Sequence, residues 1–179
     1  AVLVTHQHPD HLDPERLPAL LRANPAARLV VDDGTAEQLA GTDHETAAPG
    51  TTLEIGGARI EVLGGRHAVI HPDIPVIPNN AYLVDGTHLH PGDALPTAPG
   101  PVEVLFLPTA APWLKASEAV DHLRAVAPRT AVPVHQGLLA RPVDLAVLDI
   151  FARQATMAVQ QSNLAAATMA EKNRLESMQ

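Results

Sequence analysis

The stretch Thr5-His6-Gln7-His8-Pro9-Asp10-His11-Leu12-Asp13 packs three imidazoles and two carboxylates into a few residues. It follows Ala1-Val2-Leu3-Val4, whose apolar and β-branched side chains, continued by Thr5, read as a buried strand. On extended backbone His6 and His8 project to one side while Gln7 points to the other. Asp10 and His11 fall in the turn from strand to helix, where they can approach from a second direction. One segment can therefore supply ligands to two neighbouring ions. Imidazole nitrogen and carboxylate oxygen together suit Zn²⁺, Mn²⁺ or Fe. A single histidine is ordinarily a core or surface residue, but three with an aspartate at this spacing point to a metal.

Working outward, the chain starts inside that strand without an initiator Met, so a preceding segment is expected to be missing. Asp13-Pro14 predicts a helix start, with Leu17, Leu20 and Leu21 as its apolar face and Asn24-Pro25 as its stop. Pro18 would remove one hydrogen bond from that helix, which moves the expected start later. Arg28 to Val31 reads as a strand and Thr35 to Leu39 as a short helix. Thr52 to Ile55 and Arg59 to Leu63 form a hairpin across Gly56-Gly57. After a Pro-rich loop from His71 to Pro78, a second hairpin joins Ala81–Val84 to His88-Leu89 through Asp85-Gly86. Val102 to Leu107 and Thr130 to Val134 are strands, with a helix over Ser117 to Val126 between them. Strands and helices interleave, which is α/β with mixed sheets.

The bulk numbers narrow the function. The 179 residues suit one domain with a sizeable core. A net charge of −8 and the absence of a Lys/Arg-rich run argue against a phosphate backbone as partner. Phe106, Phe151, Tyr82 and Trp113 are too few for base stacking, so no nucleic-acid partner is expected. No cysteine is present, which leaves any metal to imidazole and carboxylate. No stretch approaches the ~20 apolar residues of a membrane span. A cytoplasmic protein is the expectation.

The motif Thr-His-x-His-x-Asp-His-Leu-Asp resembles the first metal motif of the metallo-β-lactamase superfamily. Its Leu-Asp ending is most similar to the branch with ascorbate-6-phosphate lactonase-like and N-acylphosphatidylethanolamine phospholipase D-like hydrolases. Gly64-Gly65-Arg66-His67 resembles the second histidine motif, His90-Pro91-Gly92-Asp93 the Gly-Asp motif, and Val132-Pro133-Val134-His135 the strand-end histidine. The resemblance implies an αββα sandwich of two mixed sheets flanked by helices, spanning residues 1–142. It implies that His6, His8 and His67 bind one ion, that Asp10, His11 and His135 bind the other, and that Asp93 bridges them. A water shared by two divalent ions, zinc first and manganese or iron next, would become a hydroxide that attacks an ester, lactone or phosphoester of a small molecule. Asp10 would orient that hydroxide and pass on its proton, and Asp13 would either support a ligand histidine or cap the helix.

Outside this set, His44 and His122 read as solvent-exposed, and His71 and His90 as pocket neighbours without direct coordination. Asn79 and Asn80 either donate to substrate or shape the turn into the strand at Ala81. Trp113 and Lys115 are candidate substrate contacts, or else the start of a helix. In the family the first motif usually comes later in the domain, and the chain usually closes soon after the last histidine. Here residues 143–179 continue as a helical extension, a candidate for self-association. The alternative to the hydrolase is accordingly a truncated scaffold whose C-terminal helix mediates association.

Overall fold

The computed structural model describes residues 1–138, 167–172 and 174–176, and the chain divides into two compact units, residues 1–100 and 101–179. The first unit opens with β1 (Val2–Leu3), α1 (Leu17–Ala23), β2 (Leu29–Val31), α2 (Asp33–Gln38) and β3 (Glu45–Thr46). The three strands pair in parallel with β2 in the centre, Val2 beside Leu29 and Val30 beside Glu45. Four more strands follow: β4 (Thr52–Ile55), β5 (Ala58–Gly64), β6 (Asn80–Val84) and β7 (His88–His90). They form an antiparallel meander, with Leu53 opposite Ile60, Val62 opposite Tyr82 and Leu83 opposite Leu89. Both tight turns need left-handed backbone, supplied by Gly56 and Gly57 (φ 63° and 86°) and by Asp85 and Gly86 (φ 50° and 69°).

The alternation of β2 explains how these layers stack. Leu29 and Val31 face the helices, in a core with Val4, Leu12, Leu17 and Leu39. Val30, between them, points to the opposite face and joins Leu53, Ile60, Val62 and Tyr82 of the meander. A strand buried on both faces must be apolar throughout, as Leu-Val-Val is. The buried Tyr82 hydroxyl donates to the Val4 carbonyl at 2.8 Å, pinning the meander to the strand that leads into the histidine motif. Burial pushes this phenol up to about 12, so it keeps its donor proton at neutral pH.

In the second unit β8 (Val104–Pro108) and β9 (Thr130–Val134) pair in parallel, Val104 beside Thr130 and Pro108 beside Val134. Between them runs α3 (Ala116–Val126), which buries Ala119, His122 and Leu123. Residues 167–172 and 174–176 are helical. Among the described residues, no helix is long and apolar enough to cross a membrane.

The α/β class with mixed pairing is the one the sequence predicts, and the first helix starts late, as Pro18 requires: it begins at Leu17, which puts Pro18 in its first turn, where the missing N–H costs nothing. Other local expectations change. Asp13 instead caps the turn ahead of it, its Oδ1 accepting from Glu15 and Arg16 N–H at 3.1 and 3.0 Å. Leu20 is 47% exposed and does not join the apolar face. His122 is buried and His44 half-buried, its Nδ1 2.7 Å from the Thr42 carbonyl oxygen. The expected boundary at 142/143, and most of the helical extension, lie outside the described residues.

Candidate metal centre

The first unit gathers its chemistry at three strand ends. Beyond β1 the chain stays buried through Thr5 and His6, then turns outward at Gln7. Gln7 packs on the start of α2, its Oε1 filling the space a Cβ on Gly34 would need, 2.4 Å away. His6 and His8 project the other way, as alternation on an extended segment requires. The Thr5 hydroxyl lies 3.1 Å from His6 Nδ1 and 3.2 Å from His11 Nδ1. A hydroxyl can accept from an Nδ1–H or donate to an Nδ1 lone pair, and in either case it holds both rings by Nδ1 with Nε2 on the other side.

At the end of β5, Gly64 and Gly65 (φ 80° and 133°) turn the chain out of the sheet. His67 follows, buried, with its backbone N–H on the Ile77 carbonyl at 3.0 Å and its Nδ1–H on the Ala68 carbonyl at 2.6 Å. That second bond fixes the tautomer with the lone pair on Nε2. At the end of β7, Pro91-Gly92 delivers the buried Asp93, whose carbonyl accepts from Ala68 N–H at 2.8 Å.

The side chains converge closely. His6 Nε2 stands 3.1 Å from His8 Nδ1. Donor atoms of His6, His8 and His67 all lie within 4.8 Å of one another, as do those of His6, His11 and Asp93. Asp93 turns Oδ2 to His67 Nε2 at 3.4 Å and Oδ1 to His11 Nε2 at 3.2 Å. Two ligands bound ~2.05 Å from one tetrahedral ion stand about 3.3 Å apart. The separations are those of atoms sharing cations, and the nitrogen and oxygen donors are those zinc, manganese and iron accept. The residues fit the group.

Electrostatics agree. Burial, then the neighbouring His11, drives His6 down to about 3, so it stays neutral and keeps one ring nitrogen with a free lone pair. His8 is lowered as well, by burial and then by His67. His67 alone is raised: burial lowers it, but the bonds to Asp93 and the Ala68 carbonyl outweigh that. A buried carboxylate that draws protons onto a histidine is a place where positive charge is favoured.

Asp10 reaches the same edge from the exposed turn, its Oδ2 3.7 Å from His11 Nε2 and its side chain 59% exposed. His135 belongs to the second unit, where it leaves β9 with φ 63° and its Nδ1–H donates to the Ala110 carbonyl at 2.5 Å. That bond again turns Nε2 into the lone-pair nitrogen. His90 is half-buried and accepts the Gly92 N–H on Nδ1 at 3.2 Å, and belongs to neither cluster described above. His71 is exposed beside Asp73.

Each substrate-contact candidate has a definite place in the fold. Asn80 is buried in β6 with its amide donating to the Ala47 carbonyl at 2.8 Å, so it braces the two sheets. Asn79 likewise spends both amide atoms on backbone, Nδ2 on Pro91 and Oδ1 on Asp93. Trp113 is half-buried, and Lys115 is exposed at the N-cap of α3, where Glu118 Oε2 accepts its backbone N–H at 2.8 Å. Beside His8 and His67 lies a small cleft whose wall is Ile70, Ile74, Pro75, Val76 and Ile77, a feature the loop's proline content concealed.

Comparison with known proteins is consistent with this geometry. Residues 1–135 match the model of a beta-lactamase superfamily domain. Protein Rv0786c of Mycobacterium tuberculosis is 54% identical over 145 residues, 78% of this chain and 68% of its own length. Among solved structures, the metallo hydrolase Igni18 of Ignicoccus hospitalis aligns with a TM-score of 0.57 at 19% identity, over 75% of this chain and 62% of that one. The metallo-beta-lactamase fold protein YhfI of Bacillus subtilis aligns at 0.58 and 18% identity, over 88% and 70%. The diiron β-hydroxylase CmlA of Streptomyces venezuelae aligns at 0.52 and 20% identity, over 76% of this chain and 35% of that one. The chain thus spans less than two thirds of two of these three structures, and the structural likenesses speak to the fold alone.

Proposed function

From the premise that this chain belongs to the metallo-β-lactamase superfamily, we propose that it is a dinuclear metal-dependent hydrolase of small esters, lactones or phosphoesters. The observation that carries the reading is Asp93: one carboxylate faces His67 with one oxygen and His11 with the other. His6, His8 and His67 would hold the first ion, and Asp10, His11 and His135 the second, with Asp93 common to both. Zinc suits this all nitrogen and oxygen set best, with manganese and iron next. Bound divalent ions would supply a water acidic enough to react near neutral pH and an anchor for the oxygen under attack.

The chain's own residues do the rest. The Ala68 and Ala110 carbonyls hold the His67 and His135 rings by their Nδ1–H and so fix which nitrogen is presented, while the Thr5 hydroxyl lies against Nδ1 of His6 and His11 and orients those rings. Asp10, the exposed carboxylate of the set, would take, at a carboxylate oxygen, the proton that the attacking water gives up and pass it to the leaving group. Ile70, Ile74, Val76 and Ile77 line a small cleft beside His8 and His67, on the flank from which a substrate would meet the first ion.

The test is metal content by mass spectrometry on protein from metal-supplemented medium, followed by a panel of lactones, aryl esters and phosphodiesters. Close to two ions per chain with turnover abolished by chelator and restored by zinc is the expected result. A well-folded protein with no bound metal refutes the proposal.

A further inference from the structure

We propose that Asn79 is the positioning residue that sets the bridging carboxylate, an inference that rests on reading the cluster as a metal centre. Asn79 is completely buried, and its side-chain bonds go to backbone atoms. Its side-chain amide grips both ends of the turn that carries Asp93. Nδ2 donates to the Pro91 carbonyl at 3.0 Å, and Oδ1 accepts the Asp93 N–H at 2.9 Å. The turn presses directly onto that amide: a Cβ on Gly92, at φ +64°, would lie 2.3 Å from Asn79 Oδ1 and 2.9 Å from Thr5 Cβ.

The backbone around Asn79 extends the grip to the other ligands. Its carbonyl accepts Gly65 N–H at 2.9 Å and its N–H meets the Gly65 carbonyl at 3.4 Å, two residues before His67. The next residue, Asn80, donates its N–H to the Thr5 carbonyl at 2.8 Å, one residue before His6. A single dipeptide therefore ties together the three segments that deliver His6, His67 and Asp93. The chemistry demands an amide at this point. One terminal atom must donate and the other accept across a fixed gap, which an ionised carboxylate or an apolar isostere cannot do. Without it, the Pro91 carbonyl and the Asp93 N–H lose these side-chain partners in a buried place, and the turn is free to swing the carboxylate off its two histidines.

The experiment titrates Co²⁺ into the wild-type chain and into Asn79→Asp, Asn79→Ala and Asn80→Ala variants. Visible absorption reads the coordination geometry, and circular dichroism of the metal-free proteins reads the fold. Asn79→Asp preserves volume and one hydrogen bond, so it tests the amide without opening a cavity. Folded Asn79 variants should bind cobalt about 10- to 100-fold more weakly with displaced d–d bands. Asn80→Ala, which breaks a buried bond to Ala47 instead, should lose stability yet keep wild-type affinity and bands. The inference is overturned by a folded Asn79→Asp protein with wild-type affinity and spectrum, by an equal loss of affinity in Asn80→Ala, or by failure of both Asn79 variants to fold. A wild-type chain that takes up no cobalt overturns the metal-centre reading itself, and is distinguishable because it needs no variant.

Discussion

Replacing His122 with leucine should leave the protein at least as stable at pH 7.5 and make it markedly more resistant to acid. His122 is buried in α3, its Nε2 has no hydrogen-bond partner among the described residues, and burial alone pushes its pKa down to about 4. In the unfolded chain the ring titrates at its ordinary 6.5. The folded state declines a proton that the unfolded state accepts, so stability is fully present above pH 6.5 and is lost as pH falls toward 4. Linkage puts the loss at about 2 kcal/mol between pH 7.5 and 5, and about 3 kcal/mol by pH 4. Leucine carries no proton and has no polar atom to desolvate, and it fills a similar volume. Urea titrations of both proteins in excess chelator, at pH 7.5 and 5.0, isolate this site because the other buried histidines are common to both. The gap in unfolding free energy should widen by about 2 kcal/mol in favour of the variant at the lower pH. A gap that is the same at both pH values refutes the claim that His122 is held neutral by burial.

Three further outcomes follow from the centre and its supports. His8→Ala should bring the metal content down from about two ions per chain, read by mass spectrometry, because the first ion keeps only His6, His67 and the bridge; an unchanged content would remove His8 from the ligand set. Asp93→Asn in metal-free protein should lower the titration midpoint of His67, followed through its ring protons by NMR, since the carboxylate, with the Ala68 carbonyl, holds it above its ordinary value. An unmoved His67 would mean the pair is not electrostatically coupled. Tyr82→Phe should cost about 1–2 kcal/mol in denaturant unfolding by stripping the buried Val4 carbonyl of its side-chain donor; a neutral result would show that this bond does not pin the sheets.

What was legible in the sequence is what depends on short-range pattern. His6, His8 and His11 announce themselves by spacing, and the two hairpins by Gly56-Gly57 and Asp85-Gly86, because these features need only neighbours along the chain. The motifs ending at His67 and Asp93 were legible as a series behind the first. Features set by distant packing were not. Nothing in Ser117 to Val126 distinguishes a histidine on the solvent face from a buried one, so the sequence points His122 outward where the structure buries it. Asn80 has the chemistry of a substrate donor, and only the nearness of Ala47, 33 positions away, commits its amide elsewhere. The two-residue β3 is too short to show a period at all. Thr5 was part of the motif, yet its contact with two ligand rings depends on how tightly the strand end curls back over His11. For Asn79 the turn-shaping reading was available beside the substrate reading, and its paired bonds to Pro91 and Asp93 decide between them.

The wiring of the centre also has a kinetic side. His6, His67 and Asp93 arrive from three strand ends far apart in the chain, and the Tyr82 and Asn80 links to Val4 and Thr5 close the longest of those loops. No fragment holding only one of these strand ends contains the complete set, although residues 6–11 alone carry four of its donors. Loose capture on that segment would be open to the unfolded chain, while the full set waits on loop closure. Tight metal uptake during refolding would therefore be a clock for the docking of the two sheets: it should lag behind secondary structure and coincide with the last tertiary step.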